Sequence, residues 1–149
     1  MEDEYDFFHE NAIVSVMPDY GGAYLWGKSV ESGGIGSNIA DSFCGYCSYL
    51  PISEHLQAQF HVWQIQFEQS YFDDEKDEQG KRIVRNGHDE VVEWDWAAFH
   101  TEGLRLAKCL KQELGNRCKV YYVKPYEDFD AFERAVEVLL DGTICVLTP

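Results

Sequence analysis

The sequence predicts one α/β domain spanning residues 1–149, a small, mostly parallel sheet covered by about three helices. Three observations carry this. Long segments place apolar residues three or four apart, as an amphipathic helix requires; short β-branched and aromatic runs read as strands; and each helix precedes or follows one of those strands. The chain has 149 residues, 45% hydrophobic and 15% aromatic, which is enough to close a core without disulfide staples and excludes disorder.

The first strand is "AIVSVM", residues 12–17, rich in residues that suit a pleated, buried surface. After Pro51, Ser53 is placed to cap the free N–H groups of a helix whose apolar stripe is Leu56, Phe60, Trp63, Phe67 and Tyr71. A second helix has Asp95 as its N-cap, Trp96, Phe99, Gly103, Leu106, Ala107, Leu110 and Leu114 on one face, and Gly115 at its C-terminal cap. Arg105, Lys108 and Lys111 fall off that stripe. "CKVYYV" (118–123) is the next strand. A third helix is expected from a capping box of Asp130 and Glu133, an apolar face of Phe132, Val136, Leu139 and Leu140, and a stop at Gly142. "TICVL" (143–147) is the last strand. The polar stretches "GKSVESGGIGSN" and "DDEKDEQGKRIVRNGHDE" read as surface loops. The expected core is Phe60, Trp63, Phe67, Phe99, Leu106, Leu110, Val120, Tyr122, Phe132, Val136 and Leu139.

Charge bounds the partners. Twelve Lys and Arg stand against 27 Asp and Glu, a formal net charge of −15. Residues 1–50 carry 8 acids and 1 base, residues 51–100 carry 11 and 4, and residues 101–149 carry 8 and 7, so nearly all the excess lies in the first two thirds. Such a surface repels a phosphate backbone, whose affinity for proteins rests on Lys and Arg displacing counterions, so no nucleic-acid partner is expected. An anionic membrane face is disfavoured for the same reason. No apolar run approaches the length of a membrane span, and "MEDEYDFFHE" is acidic where a signal peptide is basic, so the expected location is the cytoplasm. Five scattered cysteines suit a reducing compartment.

The motifs that could carry chemistry are few. Cys44 and Cys47 in "CGYC" have the spacing of a redox pair, and the four residues look like those of some glutaredoxins. A thiolate site needs its first cysteine at a helix N-terminus after a buried strand, whereas "SNIADSF" before it is polar and loop-like. Two thiols under a loop is the plainer reading. Cys109 and Cys118 are nine apart with no histidine at ligand spacing, so no zinc site and no other cofactor is expected. His55, His61 and His100 fall on the expected helices as surface or boundary residues. The "ESGGIGSN" loop lacks the third glycine of a dinucleotide fingerprint and the Lys-Ser/Thr of a P-loop. "PDYGGAYLWG" (18–27) is the most distinctive string: Gly21 and Gly22 permit a tight turn held by Asp19, and Tyr24, Leu25 and Trp26 either fold back on the core or remain exposed as a binding anchor.

"DYGGAYLW", followed downstream by "WDWAAFHTEGLRLAKCLKQELG" and "VYYVKPYED", resembles small bacterial proteins of polymorphic toxin and contact-dependent growth inhibition systems, where they act as immunity proteins. The likeness runs in order along most of the chain. It implies a non-enzymatic protein whose partner is a cognate toxin domain, often a basic nuclease, and it brings no catalytic residues to carry over. The acidic charge agrees with that role, since it can steer a basic partner in and occupy the place of its nucleic-acid substrate. The residues expected to meet that partner are Asp73, Asp74, Glu75, Asp77 and Glu78, then Asp89, Glu90 and Glu93, with Tyr20, Tyr24 and Trp26 as a second candidate surface. A thiol-disulfide oxidoreductase using Cys44 and Cys47, and an acidic adaptor for another basic protein, are the competing functions.

Overall fold

The computed structural model describes residues 12–20, 23–29, 37–41, 52–129 and 131–147. Cys44, Cys47, Gly21, Gly22, Pro51, Asp130 and most of the Gly/Ser-rich loop lie outside the described residues. The elements run β1 (Ala12–Val16), β2 (Ala23–Ser29), β3 (Ser37–Asp41), α1 (Glu54–Glu68), β4 (Tyr71–Lys76), β5 (Arg82–Arg85), β6 (Val91–Val92), α2 (Trp96–Leu114), β7 (Lys119–Val123), β8 (Ala135–Val138) and β9 (Ile144–Val146).

Six strands form one sheet in the order β3-β2-β1-β7-β8-β9, and three form a second in the order β4-β5-β6. This corrects the expected mostly parallel sheet. Only β1 and β7 pair in parallel, Val14 opposite Val120; every other described pairing is antiparallel. The reason lies in the connections. A parallel pair needs a long crossover, and β1 and β7 are joined by one that runs through β2, β3, α1, the small sheet and α2; among the described residues no helix separates the other neighbouring strands.

The first two helices form as their caps and stripes dictate. Ser53 Oγ accepts the Leu56 N–H at 3.1 Å, while its own N–H and hydroxyl donate to Glu113 at 2.6 and 2.8 Å, which fastens the start of α1 to the end of α2. Asp95 caps α2 through the Ala98 N–H at 3.2 Å, and Gly115 ends it at φ +63. Leu56, Phe60, Trp63 and Phe67 of α1 and Phe99, Leu106, Ala107, Leu110 and Leu114 of α2 are buried against Val120 and Tyr122 of β7 and Val136 and Val138 of β8. Two details depart from expectation. Tyr71 is not on the α1 stripe but opens β4, exposed. Lys111 is buried, and its ammonium donates to the Cys118 carbonyl at 2.8 Å.

The third expected helix is absent among the described residues. Its segment forms the β8–β9 hairpin, in which Gly142 is not a helix stop but a turn residue at φ +88, donating to the Leu139 carbonyl at 2.9 Å. Val136 and Val138 alternate inward as strand residues do, while Phe132 and Leu139, expected in the core, stand exposed. The second polar stretch is equally corrected: residues 71–92 are not a loop but an antiparallel meander. The first strand expected here, β1, is buried along its whole length, and β7 and β9 also form where strands were expected.

Candidate partner-binding surface

The meander is built from its turns. Asp77 Oδ1 accepts the Gln79 and Lys81 N–H groups, each at 2.9 Å, and closes the β4–β5 connection. Asn86 does the same for β5–β6, its Oδ1 accepting from His88 at 2.8 Å and Glu90 at 3.1 Å. Register then sets Tyr71 opposite Arg85 and Phe72 opposite Val84. Phe72 and Val84 face inward, with Phe72 packed on Phe67, Trp94 and Trp96.

The eight acidic residues singled out by the sequence all lie on or beside this meander. They are not equivalent. Arg85 bonds Asp73 at 3.0 Å and lies 3.9 Å from Asp89, and its bond to Asp73 pushes the guanidinium pKa up. Arg82 reaches Asp74 at 3.4 Å. Asp77 holds a turn, and Glu90 accepts from the Asn86 amide at 3.0 Å. Glu75, Glu78 and Glu93 extend exposed into solvent. Surface pairs of this kind are screened by solvent, so the arginines position the carboxylates more than they stabilise the fold. Residues 71–95 hold nine acids and four bases, leaving the meander negative.

The second candidate surface divides. Tyr24 is fully buried and stacks on Phe60, 5.5 Å between centroids, so it belongs to the core as the fold-back alternative has it. Trp26 is half-buried and donates through Nε1 to the Met17 carbonyl at 2.9 Å. Tyr20 alone offers an open ring. It stacks on Phe67 and Tyr71 while its hydroxyl donates to the Ser70 carbonyl at 2.8 Å. Burial, then the charge of Glu127, push its phenol pKa well up. Tyr20 therefore adjoins the start of the meander.

Two open grooves flank the segment joining the meander to α2. One, of about 450 Å³, is lined by Ser70, Asn86, Glu93, Trp94, Phe99 and Glu102. The other, of about 550 Å³, is lined by Lys76, Lys81, Arg82, Trp94, Asp95 and Trp96. Trp94 separates them, its Nε1 buried with no acceptor among the described residues.

A buried polar chain lies under the neighbouring 124–134 loop. His100, expected at the surface or a boundary, is buried, 2.7 Å from the Tyr122 hydroxyl through Nδ1 and 2.7 Å from Asp128 through Nε2. A carboxylate only accepts, so Nε2–H donates to Asp128 and Nδ1 accepts from Tyr122; neutral imidazole satisfies both bonds. Burial lowers the His100 pKa despite Asp128, and burial pushes the Tyr122 phenol far up, which leaves neither an accessible nucleophile nor a free base. The chain is a clamp. Arg134 completes it by donating to the carbonyls of Lys124, Pro125 and Asp128 at 3.0, 2.7 and 3.0 Å. No spacing rule on one strand and one loop could have revealed these partners.

The remaining thiols are ordinary. Cys109 is half-buried, Cys145 is exposed, and burial pushes the Cys118 pKa up to about 11. Among the described residues, no helix is long and apolar enough to cross a membrane.

The described surface thus presents carboxylates set on and beside turns, next to two open grooves. Residues 12–125 match the family described as Serratia CdiI immunity protein-like. The chain belongs to that family. No curated protein and no solved structure matches it.

Proposed function

We propose that this chain is a non-enzymatic immunity protein that binds and neutralises a cognate toxin domain, a basic and nuclease-type one, through the acidic face of the β4–β6 meander. Family membership over residues 12–125 carries the reading. The charge of the meander gives it a face: Asp73, Asp74, Glu75, Asp77, Glu78, Asp89, Glu90 and Glu93 lie within one small sheet and its exit. A basic partner is drawn to such a field, and a carboxylate array can occupy the ground where a nuclease holds phosphates. Steering of this kind raises association to roughly 10⁸–10⁹ per molar per second at low salt. Inhibition by occupancy requires no turnover.

The test uses the cognate toxin domain, to be sought in the neighbouring reading frames. Glu75→Lys, Glu78→Lys and Glu93→Lys together avoid the carboxylates that hold turns or arginines. The expected result is slower association by about tenfold or more, with a flatter dependence on salt and unchanged unfolding. Association unaffected by the reversals would move the interface off the meander.

A further inference from the structure

The 124–134 loop carries the three most exposed aromatic rings among the described residues: Tyr126 at 68%, Phe129 at 58% and Phe132 at 77%. Exposed large rings gathered on one part of a surface mark interaction sites, and these three fall within seven residues of one another. A loop of this kind would ordinarily fold its rings inward or move. Here the backbone is held on several sides. Arg134 donates to three of its carbonyls, the Lys124 ammonium donates to the Phe132 carbonyl at 2.5 Å, and Asp128 is locked to His100 beneath. The rings therefore stand on a fixed base, and docking them orders little backbone.

Their position relative to the acids is set by one side chain. Arg82 of β5 lies 3.8 Å above the centroid of Phe129, and through Nη1 it also bonds the Asp73 carbonyl at 2.7 Å and the Asp74 carboxylate at 3.4 Å. Arg82 thus bridges the Phe129 ring and the acidic residues of β4. We propose that the rings of Tyr126, Phe129 and Phe132 are the anchors of the toxin interface, the β4 carboxylates being its charged border. This rests on the immunity reading above. The occupant is the cognate toxin domain, presenting an apolar patch bordered by lysine or arginine; charge complementarity with β4 selects it over an acidic or neutral partner. An interface of this composition has the usual division of labour, in which aromatic anchors supply most of the affinity and border charges set the association rate.

The experiment measures affinity and ring exposure together. Tyr126→Ala, Phe129→Ala and Phe132→Ala are titrated singly against the cognate toxin domain, and hydroxyl-radical footprinting reads the same rings in the wild-type complex. The expected result is a loss of about 30-fold or more in affinity for at least one variant, mostly as faster dissociation, with the rings protected from oxidation in the complex. Footprinting needs no variant, so a misfolded mutant does not obscure the answer. If the alanine variants bind as the wild type does and the rings stay reactive, the anchors lie elsewhere, while the immunity reading stands. Rings already protected in the toxin-free protein at high concentration, together with a dimer in sedimentation, would assign the patch to a second copy of this chain and overturn the proposal. Failure of the wild-type protein to bind the toxin domain would remove the immunity reading itself, and this inference with it.

Discussion

Gly103→Ala tests the packing of the two helices on the sheet at its closest point. Glycine in a helix interior costs about 1 kcal/mol relative to alanine, so propensity alone would make this substitution stabilising. The structure opposes it. A Cβ on residue 103 would lie 2.5 Å from Tyr122 Cε1, 2.6 Å from its hydroxyl and 2.7 Å from Trp63 Cζ2, against carbon separations of about 3.5–4.0 Å at optimal contact. Neither ring can withdraw freely. Both are 1% exposed; Tyr122 is bonded to His100 at 2.7 Å, and Trp63 Nε1 donates to the Phe99 carbonyl at 3.0 Å. Overpacking costs about 1–3 kcal/mol, and a weakened buried hydrogen bond about 1 more. Set against the propensity gain of about 1 kcal/mol, the expected net loss is about 1–3 kcal/mol in urea unfolding monitored by tryptophan fluorescence. A variant about 1 kcal/mol more stable than wild type would mean that α2 does not sit against Tyr122 and Trp63.

Further outcomes follow from the same packing. Leu106→Ala and Leu110→Ala, both at fully buried sites, should each cost about 2–5 kcal/mol by urea unfolding, and near-zero effects at both would misplace the α2 face. Phe132→Ala should change stability by no more than about 0.5 kcal/mol; a loss of core size would mean that its ring is buried. Because burial depresses the His100 pKa below its ordinary 6.5, the clamp is at full strength above about pH 6.5 and weakens as pH falls through the folded value. Lys124 and Arg134 add to that loss and Asp128 opposes it, so the wild-type stability profile should fall in acid more steeply than that of His100→Gln, and identical profiles would contradict the clamp. Replacing Cys44 and Cys47 together with Ser should leave toxin protection intact, whereas lost protection with a thiolate populated well below pH 7 would revive thiol chemistry.

What the sequence reveals of this fold follows the range of the forces involved. Helices α1 and α2 were legible because Ser53, Asp95 and the apolar stripes act within a few residues of one another. The strand β8 was not, since Phe132, Val136, Leu139 and Leu140 have helical spacing, and only pairing with β7 and β9 decides against it. The meander hid for a different reason. "YFDDEK" is largely exposed, so it has no inward-outward alternation to read. A local marker is Asn86-Gly87, a hairpin dipeptide inside the polar stretch.

Of the candidate site, the carboxylates could be found by counting charge, because charge density survives any folding of the segment. Their unequal duties could not: Asp77 holds a turn and Asp73 is committed to Arg85. Tyr24 and Tyr20 occupy one string, yet one is sealed in the core and the other is open. The aromatic rings of the 124–134 loop were missed because a capping box at its end pointed to a helix that would have buried Phe132. Their support comes from His100 and Arg82, residues far away in the chain.

The central claim is that this chain neutralises a toxin by occupying it. The most direct measurement titrates the purified protein into the cognate toxin domain and follows residual toxin activity. Inhibition should reach completion at one molecule per toxin and should not deepen with incubation time. Complete inactivation by a small fraction of an equivalent, progressing with time, would contradict a stoichiometric inhibitor and call for catalysis instead.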